Sequence, residues 1–127
     1  MITISATIEV LIDEADQLLA QAEREKGRDL PKSLRIIHQG LGKLLQAFLV
    51  ANDRRSPSGL KEQFELCMEI EPEFVSVEDE MDFLLSVVPE EVESEDVIDT
   101  ANEVWDFMID LLENGPSEDL DDPDETD

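Results

Sequence analysis

The stretch KSLRIIHQGLGKLLQAFLVA, residues 32–51, reads as a helix that is apolar over a wide arc. Leu34, Ile37, Leu41, Leu44, Leu45, Phe48 and Leu49 recur at helical spacings, and no period-two alternation runs through them. An arc that broad needs cover on more than one side, so this helix belongs at the centre of a bundle. Pro31 suits its first turn and Asn52 its end.

Outward from this helix, Pro57, Pro72, Pro89 and Pro116 fall between further periodic segments. The first segment sets Ile4, Ile8, Leu11, Ala15, Leu18 and Ala22 on one face, with Gly27 as its stop. A third, Ser58 to Ile70, offers Leu60, Phe64, Cys67 and Met68. The fourth is expected to open at Ser76 as N-cap, with Asp79 three residues on. Its apolar face is Val77, Met81, Leu84, Leu85 and Val88. The last opens at Ser94 and carries Val97, Ile98, Ala101, Val104, Trp105, Met108, Leu111 and Leu112, with Gly115 and Pro116 to stop it. The expected fold is all-α: an antiparallel bundle of about five helices over residues 1–115. Residues 116–127 hold seven acids and one large apolar side chain, Leu120. Such a tail buries too little to offset its ordering entropy and is expected to be disordered.

A chain of 127 residues suits one domain. The single cysteine, Cys67, permits no internal disulfide and fits a cytoplasmic location. The start, MITISATIEVLIDEADQLLA, has no basic opening and meets acid at Glu9, which argues against a signal peptide. No apolar run approaches the roughly 18 residues of a membrane span.

Motifs for catalysis are scarce. His38, the lone histidine, reads as a helix-surface or core-edge imidazole, and with the distant Cys67 it makes no zinc set. A Cys67–His38 nucleophile pair has no local signature. DLDDPDETD lacks the glycine and closing glutamate of a calcium loop. QGLGK, residues 39–43, lacks the spacing of a phosphate cradle, and its glycines are expected to let a neighbouring helix come close. No catalytic residue, metal ligand or cofactor is assigned.

Charge is the strongest signal. All nine Lys and Arg lie at or before Lys61, whereas 25 of the 34 acids follow Gln63. The net charge of −25 therefore belongs to the second half. On the last helix Glu95, Asp99, Glu103, Asp106, Asp110 and Glu113 follow spacings of four and three and form one stripe. Glu65 and Glu69, with Glu62, repeat the theme on the third helix, and Asp79 and Asp82 add to it on the fourth. Like charges at i,i+4 destabilise a helix by about 0.2–0.5 kcal/mol per pair. A solvated face or adaptation to high salt would also produce acid. The balanced first half speaks against the second, and a docking face for a basic partner accounts for the asymmetry best. Nucleic acid and anionic membranes would be repelled. A partner that normally binds nucleic acid could take these carboxylates in place of phosphates.

IIHQGLGKLLQAFLVAND, residues 36–53, resembles the second helix of HEPN domains. SPSGLKEQFELCMEIEPEF, 56–74, is similar to the turn, short helix and acidic-Pro-acidic-Phe connection that follow there, and DVIDTANEVWDFMIDLL, 96–112, to the closing helix. The likeness covers about residues 33–113. It implies a four- to five-helix bundle, often dimeric, and often paired with a minimal nucleotidyltransferase in toxin–antitoxin or defence systems. Many members are ribonucleases with an Arg four to six residues before a His. Here Arg35 stands too close to His38, no His follows Arg54 or Arg55, and there is no Tyr for an Arg-Tyr-Pro segment. The resemblance therefore implies a branch kept for binding. Its partner would be a basic protein: a nucleotidyltransferase, a nuclease or another nucleic-acid-binding protein. The alternative it implies is a HEPN-type ribonuclease or nucleotide-binding component.

Overall fold

The computed structural model describes residues 4–114. Among them the chain forms five α-helices and no strand: α1 Ile4–Glu25, α2 Leu30–Ala51, α3 Leu60–Ile70, α4 Glu78–Ser86 and α5 Ser94–Asn114. Short 3₁₀ turns at Pro72–Val77 and Pro89–Glu91 flank α4. The expected all-α bundle is what forms. The tail at 116–127, the Gly115–Pro116 stop and the side chain of Ile4 lie outside the described residues.

α2 is the central helix and packs against all four others. The seven apolar residues that marked it are all buried, and Ile36 and Ala47 join them. Asp29 caps its start, with Oδ1 accepting from the Lys32 amide at 3.1 Å, and Pro31 sits in the first turn. At the other end Asn52 is the C-cap. Asp53 follows at φ 58°, the Arg54 amide donates to the Leu49 carbonyl at 2.8 Å, and the Asp53 amide donates to Val50 at 3.0 Å. This is a Schellman closure with aspartate where glycine is usual.

Two polar side chains of α2 serve its neighbours. Buried Ser33 donates from Oγ to the Ala22 carbonyl at 2.8 Å, and His38 donates from Nε2 to the Leu84 carbonyl at 2.7 Å. Each carbonyl lies in the last turn of its helix, α1 or α4, where carbonyls lack an intrahelical partner. The expected core-edge histidine is thus a C-terminal cap for α4.

Of the two glycines in QGLGK, only Gly40 permits a close approach. A β-carbon there would overlap Cζ2 of Trp105 and stand 2.7 Å from Cη2. The indole is 1 % exposed, and its Nε1 donates to the Ala15 carbonyl at 3.3 Å. A β-carbon on Gly42 would meet only ordinary contacts at 3.8 Å.

The start of α4 differs from the expectation. Ser76 does not cap it: the residue is exposed within the first 3₁₀ turn, and Val77 precedes the helix with no side-chain cap. The cause is Phe74. That ring is fully buried and meets Phe48, Phe64 and Phe107 edge-on, with centroids 4.9, 5.8 and 5.4 Å away. Turning Phe74 inward tightens residues 72–77 into a 3₁₀ turn, which uses up the backbone that a Ser76 cap needs. Glu78, Asp79 and Glu80 then fill the first turn of α4, where the helix dipole favours anions. Val88 also departs from its expected place, being 45 % exposed beyond the end of α4. Pro89 holds the residue before it extended, at φ −101° and ψ 116°.

Candidate interaction surface

The candidate surface begins with α5. Its buried face is Val97, Ile98, Ala101, Val104, Trp105, Met108 and Leu111, spaced by threes and fours. That spacing places Glu95, Asp99, Glu103, Asp106, Asp110 and Glu113 on the outer side, and all six are exposed. Glu65 and Glu69 on α3 and Asp79 and Asp82 on α4 are exposed as well.

Helix packing brings these groups together unequally. α4 lies against α5, while α3 packs on α2 and on the 3₁₀ turn that follows it. The α5 stripe instead runs along α1. Lys26 Nζ stands 2.9 Å from Glu95 Oε2, and Asn102 Nδ2 donates to Glu23 Oε2 at 3.3 Å. Partial burial, together with Asp13 and Glu113, holds the Asp16 carboxyl above the usual range. The bond to Glu95, with Glu23 and Asp99 nearby, holds the Lys26 ammonium above its usual range. The acid field therefore crosses into the charge-balanced half of the sequence. One stripe carboxylate, Glu95, is met by a lysine from that half. Sequence reasoning missed this junction: Asp13 lies one helical turn from Asp16 on α1, but only the return of α5 along α1 brings Glu113 near them.

The remaining reactive groups are quiet. Cys67 is fully buried, and its Sγ lies 4.0 Å from the Leu45 carbonyl, so it forms no pair with His38. Burial pushes the thiol up to about 12 from 9.0. A thiol raised in the folded state leaves stability unchanged below about pH 9 and removes it as pH climbs towards 12. Urea unfolding at pH 10 should show a loss of about 1 kcal/mol relative to pH 7 that is absent in Cys67→Ala. Equal pH slopes for the two proteins would refute this. Among the described residues, no group of three or more His, Cys, Asp or Glu is placed to hold a metal ion. No described helix is long and apolar enough to cross a membrane.

Open clefts among the described residues include the following three. One lies between α1 and α5 and is lined by Ile8, Ile12, Leu112 and three carboxylates. A second lies along α1 and α2 beside Gln17, Gln21 and Lys43. The third lies between α2 and the start of α3, beside His38 and Gln63. No family model, no curated protein and no solved structure matches this chain.

Proposed function

We propose that this chain is a non-enzymatic interaction protein that docks its acidic surface onto a basic partner. α5 carries that surface, α4, which packs on α5, extends it, and α3 adds the exposed Glu65 and Glu69 to the acid set. The single observation behind this reading is the base-free run after Gln63, which leaves the α5 stripe exposed at a standing cost of self-repulsion. Opposite charge on the partner offsets that repulsion, speeds encounter and makes the complex salt-sensitive. The partner is a nucleotidyltransferase, a nuclease or another nucleic-acid-binding protein, whose phosphate-binding groups the carboxylates engage. The resemblance of residues 33–113 to HEPN domains supports such a pairing in the cytoplasm, with this chain as a branch lacking the Arg–His ribonuclease motif.

The test is a triple variant, Asp99→Asn, Glu103→Gln and Asp106→Asn, which leaves the Lys26–Glu95 pair intact. It removes like-charge neighbours along α5, so it should raise unfolding free energy by about 0.5–2 kcal/mol. It should also weaken binding to a basic protein captured at low salt by tenfold or more, and flatten the dependence of Kd on NaCl. A variant that gains stability and binds equally well would reduce the stripe to a solvated face. The rival ribonuclease reading finds little support: His38 Nε2 is held by the Leu84 carbonyl, and Arg35 stands only three residues before it. Cleavage of RNA by the purified protein, lost in His38→Ala, would restore it.

A further inference from the structure

The cleft between α2 and α3 has an unusual makeup for this protein. Although 34 of the 127 residues are acidic, no carboxylate lines it. Its one cation, Lys43, is already held by Glu14 at 3.0 Å. The cleft therefore has no carboxylate to attract a cation and no spare cation for an anion. Its one ring is the His38 imidazole, already tied through Nε2 to the Leu84 carbonyl, and no Phe or Trp lines it to give a nucleobase or a sugar ring a broad stacking platform.

What remains are neutral hydrogen-bonding groups with fixed roles. Gln63 is 8 % exposed. Its Nε2 donates to Ser56 Oγ at 2.7 Å, and the Ser56 hydroxyl donates onward to the Pro57 carbonyl at 3.2 Å. That chain fixes the amide, so Oε1 is the group turned towards Gly42, and it accepts from no group among the described residues. That oxygen faces an open cleft, where it can accept from a ligand's donor. His38 is fixed likewise: its Nε2 donates to Leu84, which leaves Nδ1 as the acceptor of the neutral ring. The exposed Gln46 carboxamide adds a donor and an acceptor at the rim, and half-buried Leu60 gives an apolar wall. Gly42 keeps the floor open, since a β-carbon there would stand 3.8 Å from both Gln63 Oε1 and Leu60 Cδ1.

We infer that this cleft binds an extended, uncharged stretch of polypeptide. Peptide N–H groups meet Gln63 Oε1 and His38 Nδ1, the Gln46 amide pairs with a peptide unit, and an aliphatic side chain lies on Leu60. Carboxamides suit this task because each offers the same donor and acceptor as the peptide group itself. Such a contact presupposes a protein partner, as proposed above, but draws nothing from the acidic stripe.

The probe is acetyl-leucine methylamide, titrated into the ¹⁵N-labelled full chain. Saturable shifts are expected at the Gly42 backbone amide and at the Gln46 and Gln63 side-chain amides, with a Kd that does not change between 50 and 500 mM NaCl. Gly42→Ala places a methyl group on the floor at ordinary contact distance. It should therefore fold with an undiminished melting temperature and bind the probe at least tenfold more weakly. Gln46→Ala should weaken binding more modestly. The Asp99/Glu103/Asp106 variant should bind the probe as the parent does, which separates this site from the stripe. Unsaturable shifts, full binding by Gly42→Ala, or saturation at the same amides by adenosine or spermidine but not by the blocked leucine would overturn the inference.

Discussion

Trp105→Ala is expected to lower the unfolding free energy by about 3–5 kcal/mol. Total stability for a domain of this size is of order 5–15 kcal/mol, so the variant should sit near the edge of folding. The indole is the largest fully buried side chain and joins three helices at once. It extends from α5, lies flush on Gly40 of α2, and bonds to the Ala15 carbonyl of α1. Removing it opens a cavity and leaves that carbonyl without its side-chain donor.

Gly40→Ala tests the same junction from the other side. In an exposed helix this change would stabilise by about 1 kcal/mol. Here the new β-carbon meets ring atoms that cannot retreat, and overpacking of this kind costs about 1–3 kcal/mol or more. Packing should win, giving net destabilisation. In a Trp105→Phe background the clash should be relieved, so the double variant should be less destabilised than the sum of the singles by about 0.5–3 kcal/mol. Far-UV circular dichroism in urea measures all four proteins and does not depend on Trp105, the sole tryptophan. Additive effects would mean that Gly40 and Trp105 do not share one packed contact.

Phe74→Ala should cost a comparable 3–5 kcal/mol. The residue sits in a six-residue 3₁₀ turn that appears peripheral, yet its ring is the hub of a four-ring cluster. Phe48 brings α2 to it, Phe64 brings α3 and Phe107 brings α5. Edge-to-face contacts are worth about 0.5–1.5 kcal/mol each beyond area burial, though they do not add independently. Phe74→Leu keeps most of the volume and should lose far less. If alanine and leucine cost the same, shape rather than volume holds the cluster. If alanine costs under 1 kcal/mol, the turn does not anchor α3 to α4 as its burial implies.

Much of this bundle was legible in the chain because a helix bound to a core must repeat apolar residues every three to four positions. That constraint is local, and α2 and α5 obey it along their whole length. The fourth helix was misplaced at both ends for reasons that are not local. Ser76 has the chemistry of a cap, and only the burial of Phe74 against three distant rings denies it that role. Val88 fits the helical period, and Pro89 removes it from the helix.

The candidate surface divides in the same way. The α5 stripe was legible because its spacing fixes which residues point away from the core. The cleft beside Gln63 was not, since nothing marks Gln63, Ser56, Gly42 and His38 as neighbours until α3 folds back on α2. The sequence by itself determined an all-α chain with a central apolar helix and a charge confined to its second half, because periodicity and composition act residue by residue. Tertiary structure alone decided that Gly40 receives Trp105, that Phe74 joins three helices, and that Glu113 repels Asp16. Each of those is a contact between residues remote in sequence, and no periodicity within a segment encodes it.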